Sequence, residues 1–487
     1  MRKNHLYSTL IISLLAISLS ATPKLTVVAV VDGLTTDNLS LLRPYWQQGG
    51  FRTLSEEAFQ TTVTFPHLVY GGNETTATLM TGVSPYMHGY TMDSYYSRKD
   101  RRHHAMLEDE SVSGIGTKLH LSPKSILSQT ITDKMRLRYP NSKIYAIGIQ
   151  PQATILLAGH AANACCWLDA EQKTWVTTSA YSEGLPEAAF NQNQSGRITT
   201  LAARKWIPRM DIPIYSNPTP EEKKKGFSYE VGDVLTHSPE ANTLVIELAL
   251  ALQQNQKMGM DATPDLLMLH LNTLSPAANS DNINSAEQED MYLRLNQDLG
   301  YLMSQLDKRV GHDNYQILVL GRPVLGINEQ KLADIHMPVQ RFNVDRAAAL
   351  TGTYLMALYG HERWVDGGFG QSIYLNRTLI EKKRLSLETI QRQVADFLMD
   401  FEGVQVAVPG YEAVHYPLLN TTLSKKHMGD VVFMLQPGCL LMLDEKKALD
   451  NVIDDNPGVP VLFWSGTIKP MPQGTITALD VINLIQD

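Results

Sequence analysis

One segment constrains this chain more than any other. Lys24-Leu-Thr-Val-Val-Ala-Val-Val-Asp32 is an unbroken apolar run, rich in β-branched residues, that ends in an acid. A run of this length with no polar alternation suits a strand buried on both faces, as in a parallel sheet covered by helices. Similar runs recur at 144–149, 266–271, 317–320, 431–435 and 459–463. Between them the spacing turns helical: Leu293, Leu295, Leu299, Leu302, Leu306 and Val310 mark one face of a helix over 291–310. Further helices are expected over 387–401 and 478–485. Strands alternating with helices predict an α/β fold, a doubly wound and mostly parallel sheet. The stretches around 153–245 and 325–428 alternate less cleanly and carry Pro-rich and charged segments. They are expected to be insertions capping the sheet, within one domain spanning 22–487.

The N-terminus stands apart from this pattern. Arg2 and Lys3 precede an apolar run from Leu6 to Leu19, followed by Ser20 and Ala21. Charged start, short apolar centre and small residues describe a secretory signal peptide over 1–21. The run is short for a bilayer span of about 20 residues. The expected location is therefore periplasmic or secreted, after cleavage, with no membrane span. The 42 basic residues are outnumbered by 50 acidic ones, and the formal net charge is −8. This balance argues against a nucleic-acid-binding groove. Cys165, Cys166 and Cys439 are the three cysteines, and their spacing holds no CxxC metal motif; their disulfide state stays open.

In an open α/β sheet, ligands gather at the carboxyl ends of the strands, where Asp32 sits. By itself Val31-Asp32-Gly33-Leu34 could equally be a helix cap. The ordered set is far more specific. Gly49-Gly50-Phe51, Ala77-Thr-Leu-Met-Thr-Gly82 and Ser84-Pro-Tyr-Met-His-Gly89 follow Asp32, and Ile155-Leu-Leu-Ala-Gly-His160, Pro264-Asp-Leu-Leu267 and Leu435-Gln-Pro-Gly438 continue the series. Together they resemble the alkaline phosphatase superfamily, in its phosphate-irrepressible alkaline phosphatase and type I phosphodiesterase/nucleotide pyrophosphatase branch.

The resemblance implies a site in which two zinc ions hold a phosphate ester and a Thr or Ser attacks phosphorus. Carried over residue by residue, most of that site is replaced. Asp32 stands where the first metal-binding Asp is expected, a vestige of the set. The nucleophile position falls on Gly72, which has no side-chain oxygen, and the Pro-Gly-His after it reads Glu74-Thr75-Thr76. The family's Asn falls on Asp93, and the Lys-Asp-Arg that grips the phosphoryl group reads Gln150-Pro151-Gln152. The second Asp and first His fall on Ser275 and Asn279, the Asp-His pair on Arg322 and Pro323, and the last His near Leu449. None of these is a zinc ligand.

The reading that follows is a pseudophosphatase with a binding or scaffolding role, for which no cofactor is expected although the family uses two zinc ions. Its partner would be an unidentified protein or an anionic ligand. The alternative is an active phosphomonoester or phosphodiester hydrolase with an unrecognised site, for which Thr75 and Thr76 are offset nucleophile candidates. They read more simply as polar residues opening a helix. His270 reads as a core histidine, His160 as a packed structural one, His88 as orienting the Gly89 turn, and His103-His104 as a solvated loop. A buried acid needs a cation. Arg322, ending a neighbouring strand, is expected to pair with Asp32 or Asp93.

Overall fold

The computed structural model describes residues 22–70, 72–276, 285–323, 336, 340–442, 458–467 and 475–486. The strand Leu25–Asp32 lies at the heart of a sheet, with all eight residues buried. It pairs in parallel with Asp265–Asn272 on one side and Tyr315–Arg322 on the other. Ile144–Gly148 and Ala164–Asp169 extend the parallel set beyond Asp265–Asn272. Val459–Ser465 joins the other side antiparallel to Tyr315–Arg322. Ten strands in all form this sheet among the described residues. The architecture is α/β with a large, mostly parallel central sheet.

The double burial of these runs has a direct structural cause. Odd-numbered residues of the first strand (Val27, Ala29, Val31) join a core with the helices Pro239–Asn255 and Ala286–Arg309. Even-numbered ones (Val28, Val30) join a second core with Asn73–Thr81 and Pro151–Ala158 on the opposite face. Alternation along a strand sends successive side chains to opposite faces, so a sheet covered twice demands apolar residues at both parities. Asp32 is even-numbered and emerges on the face of Asn73–Thr81 and Pro151–Ala158.

Three sequence expectations are corrected here. Val431–Leu435 belongs to a separate four-stranded sheet, beside Val404–Pro409, Ser372–Leu375 and Val365–Phe369. That sheet packs with the helices Val344–Tyr359 and Leu387–Met399 around its own core. A short apolar strand reads the same in either sheet. The helix expected over 478–485 is confined to Asn483–Gln486, because 478–482 form turns. His103 and His104 lie on a strand, Arg102–Ala105, in a hairpin with Ser94–Ser97, and His104 Nε2 sits 2.6 Å from Asp100.

Candidate functional site at the strand ends

The register of the three central strands builds the site. Asp32 is level with Arg322 on one side and Asn272 on the other. His270, two residues before Asn272, points to the same face as Asp32. Both Asp32 and His270 are almost wholly buried.

Arg322 closes on Asp32 with a two-pronged grip. Its Nε lies 2.5 Å from Asp32 Oδ1 and its Nη2 donates to Oδ2 at 2.5 Å. The guanidinium is itself buried, with 6% of its side chain exposed. Two further donors are used: Nη1 donates to Asn73 Oδ1 at 2.6 Å, and Nη2 reaches Gln150 Oε1 at 3.3 Å. His270 completes the cluster. Its Nδ1 accepts from the backbone N–H groups of Ile149 and Gln150, each at 3.4 Å. Its Nε2 lies 3.1 Å from Asp32 Oδ2. Burial alone would push the Asp32 carboxyl up. The Arg322 charge and then His270 outweigh it, so Asp32 lies below its ordinary value and stays a carboxylate.

Gly72 explains how a large guanidinium fits here. It caps the Asn73–Thr81 helix with φ of +95°, a conformation glycine adopts without penalty. A Cβ built on it would lie 3.2 Å from Arg322 Nε and 3.3 Å from Cδ. Arg322 therefore fills the space that a side chain at position 72 would need. The helix after Gly72 is anchored from below. Thr78 Oγ1 sits 2.8 Å from His67 Nε2 and 3.1 Å from His88 Nε2, and both rings are buried. Burial pushes His67 down to about 4 and His88 well below its ordinary value.

The other expected positions fall as follows. Asp93 stands at the exposed rim and joins the cluster indirectly, accepting from Asn73 Nδ2 at 2.9 and 3.1 Å and from the Tyr90 hydroxyl at 2.7 Å. Gln152 lies in the first turn of the Pro151–Ala158 helix, half-buried. Thr75 and Thr76 are fully buried and donate to the Gly72 carbonyl. Both hydroxyls are turned into their own helix. Ser275 is buried beside Glu287 and lines a cavity of about 400 Å3 together with Asp233, Thr236 and His237. Burial lowers His237, while the charge of Asp32 pulls it the other way. Pro323 is buried directly after Arg322. Asn279 and Leu449 lie outside the described residues.

Two members of the cluster escaped the sequence reading. In sequence His270 reads as a core histidine, yet its even offset from the strand end and the parallel register put it on the Asp32 face. Asn73, the link between Arg322 and Asp93, is adjacent to Gly72 and carried no motif of its own. His160, taken as packed, is partly exposed and bonds Asp133 Oδ2 at 2.8 Å and the Ile126 carbonyl at 3.1 Å.

The relatives of this chain define the class: this is the fold of the alkaline phosphatase superfamily. The chain belongs to the type I phosphodiesterase / nucleotide pyrophosphatase family, whose model matches residues 26–459. It is 24% identical over 482 residues to the alkaline phosphatase PafA of Elizabethkingia meningoseptica, covering 92% of this chain and 88% of that one. It is likewise 24% identical to the alkaline phosphatase PhoV of Synechococcus elongatus, over 92% of this chain and 86% of the relative. The crystal structure of wild-type PafA superposes with a TM-score of 0.80, at 23% identity and 96% coverage of both chains.

Family membership corrects one expectation. The sequence reading expected no cofactor, but the family's members are metal-dependent zinc phosphatases, and a cofactor-free protein is not what the comparisons support. The residues around Asp32 do not fit a pair of zinc ions, however. Both oxygens of Asp32 face one guanidinium, Gly72 offers no side-chain oxygen, and the cation of Arg322 opposes a divalent ion at contact distance. Among the described residues, no group of three or more His, Cys, Asp or Glu is arranged to hold a metal.

Proposed function

We propose that this chain is an alkaline-phosphatase-family protein that has lost two-zinc phosphoester hydrolysis and acts by binding or scaffolding. One observation carries the reading. The Arg322 guanidinium is locked onto Asp32, and its Nε lies 3.2 Å from where a side chain at Gly72 would begin. A phosphoryl-transfer site needs an accessible nucleophile and electrostatic stabilisation of the transferring group. Here the cation is spent on a carboxylate, Gln150 and Gln152 supply no charge, and Thr75 and Thr76 donate inward. The protein acts outside the cytoplasm, in the periplasm or secreted, once 1–21 is removed. Residues 22–487 form one domain with insertions around 153–245 and 325–428. No helix among the described residues is long and apolar enough to cross a membrane.

The test is turnover. Purified mature protein, supplied with excess zinc, is assayed on an aryl phosphate and a bis-aryl phosphate, with metal analysis of the same sample. The expected result is no hydrolysis above the buffer rate on either substrate. Turnover that vanishes in Asp32→Ala, with two zinc ions per chain, overturns the reading.

A further inference from the structure

A second cluster of charge lies in the hairpin that leaves the site rim after Asp93. Its turn carries Arg98, Lys99, Asp100 and Arg101, and Arg102 opens the return strand; this mostly basic run has no part in the Asp32 cluster. The hairpin leans on the four-stranded sheet. Tyr96 packs on Tyr374 with ring centroids 4.5 Å apart, and the Arg98 guanidinium lies 4.8 Å above the same Tyr374 ring. Arg98 Nη1 donates to Asp430 at 2.7 Å, and Arg377 Nε donates to the other oxygen of that acid at 2.6 Å. Arg101 Nε sits 3.1 Å from Asp366 Oδ1, while Arg363 Nη2 donates to the Asp366 carbonyl at 2.8 Å. Tyr96 faces the backbone beside Asp366: a Cβ on Gly367 would lie 3.3 Å from its ring.

Among the described residues, two buried donors in this small area lack an acceptor: the Tyr96 hydroxyl and Arg98 Nη2 make no hydrogen bond, although Tyr96 is only 5% exposed. Asp366 Oδ1 makes none either, but it lies 3.1 Å from Arg101 Nε. Orphaned buried donors are rare in folded proteins and call for a missing partner. The charge count names its sign. Arg98, Lys99, Arg101, Arg102, Arg363 and Arg377 set six positive charges against Asp100, Asp366 and Asp430. A water would satisfy the donors but leave the surplus charge. Burial, and then Asp366, raise the Tyr96 phenol, with Arg363, Arg101 and Arg98 opposing, so it keeps its proton and donates at neutral pH.

We propose that Tyr96, Arg98, Arg101 and Arg363 form a binding site for a tetrahedral oxyanion, the phosphate or sulfate group of a small ester or a lipid headgroup. Guanidinium forks and a phenol donor match such a group, since charge-assisted hydrogen bonds to phosphate oxygens are both short and directional. The site is separate from Asp32 and does not depend on whether hydrolysis has been lost.

Calorimetric titration of the full mature chain with inorganic phosphate, at low ionic strength, tests it. Binding is expected, weakening as salt is raised. The double variant Arg101→Ala/Arg363→Ala is expected to weaken it at least about tenfold, and Tyr96→Phe by about threefold or more, with unchanged melting temperatures. Glucose 6-phosphate in one arm and phosphatidylglycerol vesicles in another, against phosphatidylcholine vesicles, separate a soluble ester from a lipid headgroup; binding of either supports the site. Absence of binding in every arm overturns the proposal. So does unchanged phosphate affinity in the double variant, or a Tyr96→Phe protein that gains stability and binds as before.

Discussion

Asp32 and Asp430 are both fully buried aspartates held by arginine, and they differ in how the cation is supplied. Asp32 has a single guanidinium, itself buried, with a histidine behind it. Asp430 has two, from Arg98 and Arg377, whose side chains are 30% and 55% exposed, and it also accepts from the backbone N–H of Leu375 at 2.6 Å. The second arrangement is redundant and water-facing; it fastens the hairpin and the Ser372–Leu375 strand together. The first is a one-to-one pairing inside the sheet, at the carboxyl ends of the parallel strands. A buried carboxylate needs a positive partner in either setting. When that partner comes from the neighbouring strand end, it also fills the space beside Gly72.

This contrast orders the expected effects. Arg322→Ala leaves Asp32 ionised and unpaired in the core and is expected to lower stability by about 3–5 kcal/mol in urea unfolding at pH 7. Asp32→Asn combined with Arg322→Met removes both charges and is expected to be clearly less costly than the single change. Additive losses would show that the two residues are not coupled as described. At Asp430, Arg98→Ala or Arg377→Ala alone is expected to cost only about 1 kcal/mol, since the other arginine remains. The double variant should lose more than the sum of the two. Equal, additive losses would remove the redundancy from the comparison.

A smaller effect is expected at Gly72. Gly72→Ala must accept a positive φ and crowd Arg322, for a cost of about 1–3 kcal/mol. In an Arg322→Ala background the steric part should disappear.

The pH profile adds two opposing slopes. His67, held near 4 against an ordinary 6.5, lets the unfolded chain bind more protons. Stability should therefore fall as pH drops from about 6.5 toward 4, and Asp32, held below its ordinary value, adds a further loss below about 4. Asp298 has the opposite sign. It is part-buried between Thr243 and a group of acids, and burial pushes it up to about 7. Its contribution declines as pH rises from about 4 to 7. Asp298→Asn should flatten that limb, read from melting temperatures between pH 4 and 8.

Much of this was legible in the residue order. A β-branched run ending in Asp32 has one good home in an α/β sheet, and Arg322 ending a parallel neighbour puts guanidinium and carboxylate level. Interior distances were not legible. That Gly72 and Arg322 share one volume depends on how a helix start approaches a strand end, which no local pattern encodes. His270 was hidden for a different reason: an isolated histidine in an apolar strand looks alike whether it faces a core or a carboxylate, and only the parallel register separates the two. The Val431–Leu435 strand went to the second sheet because short apolar runs carry no address beyond their burial.

The most direct measurement is a crystal structure grown in excess zinc, with anomalous data at the zinc edge. The expected result is Arg322 still gripping Asp32 through Nε and Nη2, with its side chain against Gly72. Zinc bound to Asp32, with Arg322 swung out of the cluster, would contradict the account.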